Sequence, residues 1–235
     1  MTATRAVRSA GFLALLGGGE WQPGCEALDR HLAGAAEAKE VVVIPAAAAF
    51  EHPERIADRA TAYFAPLGVK ARTVPVLHRT EAEDQKIAEV VRRARFVYIV
   101  DGSPLHLRSV LKDSPLFEAV LAAYRGGASL AASGAGATLL GDPMVDPRGG
   151  AYTVGLGVVP DVAVFPYHGT AADHMRERSI DLLPSTAQLV GVDSSTAIVR
   201  SPEGHWRVEG VGDVTVYTGR DARVHRSGDT VAELG

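Results

Sequence analysis

The sequence is poor in the features that mark disulfide-linked, membrane-spanning and nucleic-acid-binding proteins. It contains one cysteine, Cys25, so an internal disulfide is excluded and a reducing compartment is consistent with the chain. The apolar stretch at residues 12–16 is too short to span a bilayer, and Glu20 and Trp21 follow it in place of a small-residue cleavage site. No run of lysine and arginine occurs and the net charge is −4, so nucleic acid is not an expected partner. These absences predict a cytoplasmic protein without a membrane segment.

What the sequence does contain fits a globular protein. Hydrophobic residues make up 46% of the 235 positions and charged residues 22%, enough to bury a large core in one α/β domain. We therefore expect a single domain over residues 1–235, with residues 1–10 as a loose tail.

Short apolar runs alternate with helical periodicity through the first two thirds of the chain. The predicted strands are residues 12–16, 41–45, 70–77, 96–100 and 128–132. The predicted helices are residues 25–32, 52–65 and 81–93, and one that begins with Ser114 as its N-cap and Pro115 in its first turn. This alternation predicts a parallel sheet with helices on both faces and a ligand site beyond the carboxyl ends of the strands.

The last third of the chain changes character. After a predicted helix at residues 173–183, short strands joined by turns are predicted at residues 188–192, 196–200, 206–210 and 214–218. We expect them to be antiparallel additions at one edge of the sheet.

Residues 132–137, with the sequence A-S-G-A-G-A, carry the most specific local signal. They follow a predicted strand and precede an apolar run that can open a helix. A nucleophile elbow sits at such a place and holds a serine or cysteine between small residues, as in G-x-S-x-G. The middle residue here is Gly134, so the sequence predicts an elbow without its nucleophile.

Five segments match one set of motifs in order. They are residues 16–20 (L-G-G-G-E), 100–107 (V-D-G-S-P-L-H-L), 127–144 (around A-S-G-A-G-A, ending D-P-M), 165–168 (F-P-Y-H) and 191–198 (G-V-D-S-S-T-A-I). In these segments the chain resembles the cyanophycinase and peptidase E family of serine peptidases, over roughly residues 11 to 200. The resemblance implies a class I glutamine amidotransferase-like, flavodoxin-like α/β fold, which is a three-layer sandwich with a mostly parallel sheet.

In that family a serine attacks an amide carbonyl, a histidine carries the proton, and a carboxylate orients the histidine. The gap-free alignment places Gly134 at the serine position, and an alternative with one inserted residue makes Ser133 the nucleophile. His168 matches the catalytic histidine, and Tyr167 beside it is a further candidate catalytic residue.

The orienting carboxylate stays open. Ser194 stands where some relatives have glutamate, which leaves Asp193, Asp142 and Asp146 as candidates.

The resemblance also implies a substrate site. Its candidate residues are Gly18, Gly19, Glu20, Gly102, Ser103, Ala135 and Arg178. Ser103 and Pro104 replace the Asp-Gln pair of cyanophycinases, and proline has no backbone N–H to donate. A pocket for a β-linked Asp-Arg unit is therefore not expected.

Together these departures predict a divergent family member that is not a standard serine peptidase. It would bind or transform a small peptide-like or amino-acid-derived ligand, with His168 as candidate acid or base. The alternatives are an active serine hydrolase that uses Ser133, a non-catalytic binding pseudoenzyme, and a Ser→Gly change engineered at position 134.

No cofactor or metal is predicted. His168 and His174 lack a standard ligand spacing, and the glycines at residues 17–19 do not form a nucleotide-binding motif. A homodimer is expected only by analogy with relatives.

Overall fold

The computed structural model describes residues 10–234, so the expected N-terminal tail lies outside the described residues except for Ala10. The strands are β1 (Leu13–Leu16), β2 (Glu40–Ile44), β3 (Lys70–Thr73), β4 (Phe96–Ile99), β5 (Ser129–Ser133), β6 (Gly141–Asp142), β7 (Met144–Val145), β8 (Tyr152–Thr153), β9 (Val159–Pro160), β10 (Val162–Pro166), β11 (Gln188–Val192), β12 (Thr196–Arg200), β13 (Trp206–Gly210), β14 (Val214–Thr218) and β15 (Asp221–His225).

The α-helices are α1 (Glu26–Ala35), α2 (Glu54–Phe64), α3 (Arg79–Ala82), α4 (Gln85–Arg92), α5 (Pro104–Leu111), α6 (Pro115–Arg125), α7 (Ala135–Leu140) and α8 (Asp173–Asp181). Short 3-10 helices lie at Ala46–Ala48, Ala65–Leu67, His168–Thr170 and Ala232–Leu234.

A seven-stranded sheet forms the centre of the molecule, in the order β13-β12-β1-β5-β4-β2-β3. The five strands from β1 to β3 in that order run parallel, while β12 is antiparallel to β1 and β13 is antiparallel to β12. The mostly parallel sheet predicted from the alternation is therefore confirmed.

Helices cover both faces of this sheet. One core lies between the sheet and helices α1 and α2, where Leu28, Leu32 and Phe64 are buried. The other lies under α4 to α7 and extends to the second sheet, through residues such as Val120, Leu139 and Val164. This arrangement gives the three layers that the family resemblance implies.

The antiparallel additions divide between two sheets. Strands β12 and β13 extend one edge of the central sheet, as predicted, but β11 and β14 join a second sheet in the order β15-β14-β11-β10-β6-β9. Strands β7 and β8 form a separate pair. The periodicity that identifies a strand does not identify its pairing partner, which is why a single edge was expected.

Two helices differ from expectation for local reasons. The predicted helix at residues 81–93 is interrupted, because the side chain of Asp84 accepts a hydrogen bond from the Lys86 N–H and caps a new helix, α4. Helix α5 was not predicted, and it begins where the Ser103 hydroxyl accepts from the His106 N–H at 3.3 Å. Among residues 10–234, no helix has both the length and the apolar character needed to cross a membrane.

The sheet order brings three loops together. Strands β1, β5 and β4 are parallel neighbours, so the loops after them, at residues 17–20, 133–136 and 101–104, emerge at the same edge. The candidate site is built on these loops and on the turn after β10.

Candidate active site

The turn between β5 and α7 has the backbone of an elbow. Gly134 joins the two elements with φ +46° and ψ −103°. Residues with a side chain rarely adopt this backbone conformation, whereas glycine tolerates it. Its N–H donates to the Leu16 carbonyl at 3.0 Å, which fixes the turn against the end of β1. The residues after it must be small, because a Cβ on Gly136 would lie 2.9 Å from Ile99 Cγ2.

A carboxylate occupies the space above this turn. Asp101 Oδ1 accepts hydrogen bonds from the Ala135 N–H at 2.6 Å and from the Gly102 N–H at 2.7 Å. A Cβ added to Gly134 would overlap the Asp101 carboxyl group itself. The Asp101 side chain therefore fills the position into which a side chain at residue 134 would project.

The backbone N–H of Ala135 lies where an elbow has an oxyanion donor. In an elbow, the backbone N–H of the residue after the nucleophile stabilises the oxyanion of the reacting carbonyl. Here that N–H, with that of Gly102, is engaged by Asp101.

Ser133 and Glu20 form a buried pair beneath Asp101. The Ser133 hydroxyl is fully buried and donates to Glu20 Oε2 at 2.8 Å. Glu20 Oε1 accepts from the Asp101 backbone N–H at 3.4 Å. Burial, reinforced by the charge of Asp101, raises the pKa of Glu20 above its ordinary value of 4.5.

Tyr167 reaches Asp101 from the turn after β10. Its hydroxyl donates to Asp101 Oδ2. The backbone at Tyr167 is left-handed, with φ +55°, and its N–H donates to the Gly17 carbonyl at 2.7 Å. A Cβ on Gly18 would overlap the phenol ring, so glycine at position 18 makes room for this tyrosine. Burial, followed by the Asp101 hydrogen bond, raises the pKa of the phenol.

His168 engages a different set of groups. Its Nε2 lies 2.8 Å from the Tyr217 hydroxyl, and its Nδ1 lies 3.8 Å from Asp193 Oδ1. Its ring stacks on Gly191, where any Cβ would overlap it. Burial lowers the pKa of His168 below 6.5, and the charge of Asp193 partly offsets that effect.

Of the three carboxylates considered for orienting the histidine, Asp193 lies beside it. Asp142 instead accepts from the Gly155 N–H at 3.2 Å, and Asp146 pairs with Arg148.

Of the other predicted site residues, some lie at the elbow and one lies away from it. Gly102 lies against the Ala47 carbonyl with φ +143°, next to Ser103 at the start of α5. Gly19, with φ +68°, packs on Ser195. Arg178 is exposed on α8 and lines neither of the two hollows at the elbow.

Two hollows adjoin Asp101. The apolar hollow, of about 340 Å³, is lined by Glu51, Asp101, Gly102, Pro104, Ala135, Thr138, Val145, Pro147, Phe165, Pro166, Tyr167, Ala171, Ala172 and Met175. The polar hollow, of about 260 Å³, is lined by Gly19, Glu20, Gln22, Ala48, Glu51, Ile56, Arg59, Asp101 and Tyr167. Asp101, Tyr167 and Glu51 line both, whereas His168 lines neither.

Sequence reasoning missed Asp101 and Glu51 as site residues. A signal for Asp101 was present in the sequence. Residues 100–107 resemble the family segment [TG]-G-G-[DN]-Q-L-x-L, in which a glycine stands at the position of Asp101. A side chain gained there and a side chain absent at Gly134 are complementary changes. Glu51 lies in an irregular loop and carried no signal.

Within residues 10–234, no group of three or more histidine, cysteine, aspartate or glutamate side chains is arranged to hold a metal ion.

An elbow at the carboxyl ends of parallel strands, in a sandwich of this topology, is the arrangement in which α/β hydrolases hold a serine or cysteine nucleophile. Residues 13–205 match the sequence profile of peptidase family S51, so the chain belongs to that family.

Cyanophycinases are similar to the chain in sequence. That of Geminocystis herdmanii is 28% identical over 230 residues, covering 89% of this chain and 81% of that protein. That of Trichormus variabilis is 28% identical over 200 residues, covering 78% of this chain and 64% of that protein. The chain thus spans less than two thirds of the second relative.

A solved structure of a peptidase from an acI-B1 Actinobacterium superposes with a TM-score of 0.86 at 27% identity, covering 96% of this chain and 98% of that one. A peptidase E-type protein from Listeria monocytogenes superposes with a TM-score of 0.62 at 14% identity, covering 93% of this chain and 99% of that one, and shares the fold alone.

Proposed function

We propose that this member of family S51 does not cleave amides by the serine mechanism. It uses the cleft around Asp101 to bind or transform a small peptide-like or amino-acid-derived ligand. The observation that carries the proposal is the position of the Asp101 carboxylate. It fills the space of a side chain at Gly134, and it engages the Ala135 and Gly102 N–H groups.

Hydrolysis by the serine mechanism needs both the space at residue 134 and the free backbone N–H groups. The hydroxyl must project from the elbow, and the backbone N–H groups must stabilise the oxyanion, each donor being worth about 3 kcal/mol. An ionised carboxylate bound to these N–H groups would also repel the developing oxyanion. A substrate carbonyl therefore finds neither the nucleophile nor its electrostatic support.

Ser133 is a poor substitute nucleophile. Its side chain is fully buried, and its hydroxyl is committed to Glu20 Oε2 at 2.8 Å. Attack on a substrate would require the side chain to leave this position for the cleft. The alternative of an active hydrolase through Ser133 therefore has little support.

Tyr167 is better placed than His168 for acid or base chemistry in the cleft. Its hydroxyl contacts Asp101 and it lines both hollows, whereas the His168 Nε2 engages Tyr217. The lowered pKa of His168 keeps the imidazole neutral at pH 7, in a state that can accept a proton. We therefore propose Tyr167 as the group adjacent to the ligand and His168, the next residue in the same turn, as a second candidate.

The hollows favour a small ligand. Cavities that bind small molecules measure roughly 300–1,000 Å³. The apolar hollow, at about 340 Å³, lies at the lower end of this range, and the polar hollow, at about 260 Å³, is slightly smaller. The apolar hollow offers Phe165 and Met175 to a hydrocarbon group, and the polar hollow offers Gln22 and Arg59 to polar groups. An amino-acid derivative combines both kinds of surface.

A hydrolysis assay tests the loss of the serine mechanism. Purified protein is incubated with a panel of Asp-X and β-linked aspartyl dipeptides, and with a fluorophosphonate probe that labels active serines. We expect no hydrolysis above the blank and no adduct on Ser133. Steady hydrolysis by the wild type that Ser133→Ala abolishes would overturn the proposal.

A binding assay tests the use of the cleft. Amino acids, dipeptides and their amides are screened for an increase in Tm, since a ligand that binds only the folded state raises it. A ligand found in this way should lose its effect in Asp101→Asn and keep it in Asp173→Asn, an exposed control on α8. Equal shifts in both variants would place the ligand elsewhere.

A further inference from the structure

We propose that Asp101 is a nucleophile toward a saturated carbon electrophile such as an epoxide, and forms an alkyl ester through Oδ2. This inference rests on the proposed function and names a reaction class for the same cleft. The geometry that carries it is the different environment of the two carboxylate oxygens. Oδ1 accepts hydrogen bonds from the Ala135 and Gly102 N–H groups, which we call the cradle, and Oδ2 accepts from the Tyr167 hydroxyl.

The cradle holds the carboxylate in one orientation. The hydrogen bonds at 2.6 and 2.7 Å fix Oδ1, while the Asp101 backbone N–H donates to Glu20 Oε1 at 3.4 Å. A nucleophile positioned in this way needs little reorganisation before it attacks. Oδ2 is the oxygen that remains outside the backbone cradle.

The same geometry selects the kind of electrophile. A carbonyl substrate develops its negative charge on an oxygen that would need the Ala135 and Gly102 N–H groups, and Asp101 already occupies them. Displacement at a saturated carbon develops its charge on the leaving group instead. That charge can be met by Tyr167, whose hydroxyl lies on the Oδ2 side.

The step balances with an epoxide as electrophile. The Oδ2–carbon bond forms as the carbon–oxygen bond of the ring breaks, and the electron pair goes to the ring oxygen. That oxygen takes the phenolic proton of Tyr167, and the tyrosinate recovers a proton from water, which leaves as hydroxide. The product is a 2-hydroxyalkyl ester of Asp101, and no oxidant or reductant is consumed.

The cleft has room for the alkyl group. Asp101 and Tyr167 both line the apolar hollow, and Val145, Phe165 and Met175 are also part of its lining. An aryl or alkyl epoxide could place its apolar body there with a ring carbon at Oδ2, while its ring oxygen accepts the hydrogen bond that the Tyr167 hydroxyl donates to Oδ2 in the free protein. Phenyl glycidyl ether is a suitable probe because it joins an aromatic group to a terminal epoxide.

The test is covalent labelling of the whole protein. Wild type is incubated with phenyl glycidyl ether, and intact mass and peptide mapping locate the adduct. We expect one added probe mass, on Asp101, and none on the same peptide of Asp101→Asn. Asparagine keeps the shape and can still accept from both N–H groups, so this variant should fold, as circular dichroism and thermal unfolding would check.

Two further variants separate a built site from incidental alkylation. Asp173→Asn should label at the wild-type rate. Tyr167→Phe should label Asp101 roughly 100-fold more slowly, the loss typical of a missing general acid. Equal labelling of Asp101 in Tyr167→Phe would contradict the role given to the phenol.

The outcome is distinct from that of the proposed function. Folded wild type that resists the epoxide at Asp101, or that labels only at scattered surface carboxylates, overturns the nucleophile but leaves the loss of serine chemistry standing. Dipeptide hydrolysis or a fluorophosphonate adduct on Ser133 would overturn the proposed function itself.

Discussion

Two neighbouring clusters at the candidate site, one lining the two hollows and one outside them, hold similar side chains in different arrangements. The elbow rim consists of Gly134, Asp101 and Tyr167, and the histidine rim consists of His168, Asp193 and Tyr217. On the histidine rim the imidazole lies between a carboxylate at 3.8 Å and a tyrosine hydroxyl at 2.8 Å. On the elbow rim the carboxylate itself lies between backbone N–H groups and a tyrosine hydroxyl.

This difference locates the proposed departure from serine chemistry at the elbow rim. The histidine rim keeps a histidine beside a carboxylate, which is the kind of pair that serine hydrolysis uses. The elbow rim presents no hydroxyl at Gly134 and fills the oxyanion position with Asp101. We therefore expect Gly134→Ser alone to show no serine hydrolase activity.

The rims also respond oppositely to protons. Burial raises the pKa of Glu20, beneath the elbow rim, which favours its protonated neutral form. Burial lowers the pKa of His168, which favours its deprotonated neutral form. Both shifts have the same physical cause, since burial penalises whichever form carries the charge.

The largest expected effect comes from adding a side chain to the elbow rim. In Gly134→Ser the new Cβ overlaps the Asp101 carboxylate, and the backbone has a positive φ, so we expect a loss of about 3 kcal/mol in the free energy of unfolding. Combining it with Asp101→Ala should recover about 2 kcal/mol of that loss, because the overlap is removed. Urea unfolding of the four proteins in the cycle measures the coupling.

Gly34 supplies the matched control for this cycle. It lies in α1 with no heavy atom within 4 Å of the Cβ position. Gly34→Ser combined with Asp101→Ala should be additive. Additivity in the Gly134 cycle as well would show that Asp101 does not occupy the elbow.

Much of the fold could be predicted because its central strands carry a local signal. Strand β2, for example, is a β-branched run buried on both faces, and such runs need no partner to be recognised. The second sheet could not be predicted, because the periodicity of β11 and β14 would be the same if they paired with β12 in place of β10 and each other. Strand β15 was missed since four of its five residues are exposed and show little apolar alternation.

The location of the candidate site could be predicted from the sequence, but the side-chain contacts within it could not. Gly134, Ser133 and Glu20 all lie at the expected edge, since the glycine-rich turns mark it in the sequence. The contact between Asp101 and Ala135 joins residues 34 positions apart, and it depends on how a side chain turns at the end of β4. No spacing rule reports that, and Tyr217 next to His168 was hidden for the same reason.

Glu20→Gln sharpens the comparison of proton responses. A raised pKa in the folded state gives stability that is present below the ordinary value of 4.5 and is lost as pH rises through the folded value. The free energy of unfolding of Glu20→Gln should therefore increase relative to that of the wild type as pH rises from 4 to 8, by at most about 1.4 kcal/mol per pH unit. Urea unfolding across this range measures it.

Glu54→Gln is the control for that experiment. Glu54 is exposed and its pKa is lowered, chiefly by backbone hydrogen bonds at the start of α2, so the stability that its charge contributes is present above 4.5 and is lost only below that pH. The difference between Glu54→Gln and wild type should therefore stay nearly constant from pH 5 to 8. A rise with pH in both variants would indicate a general charge effect in place of burial at Glu20.

The smallest expected effects lie on the histidine rim and are read by NMR titration of His168. Its midpoint should fall below 6.5, so the stability it contributes is present above that pH and is lost as pH falls through the folded value. Asp193→Asn should lower the midpoint further, because the Asp193 charge raises it, and Arg176→Gln should raise it, because the Arg176 charge lowers it. Shifts of opposite sign from two neighbours could not come from a general loosening of the rim, which would move both variants toward 6.5. If Asp193→Asn moved the midpoint upward, the carboxylate would not be acting on His168, and the histidine rim would lose its likeness to a catalytic pair.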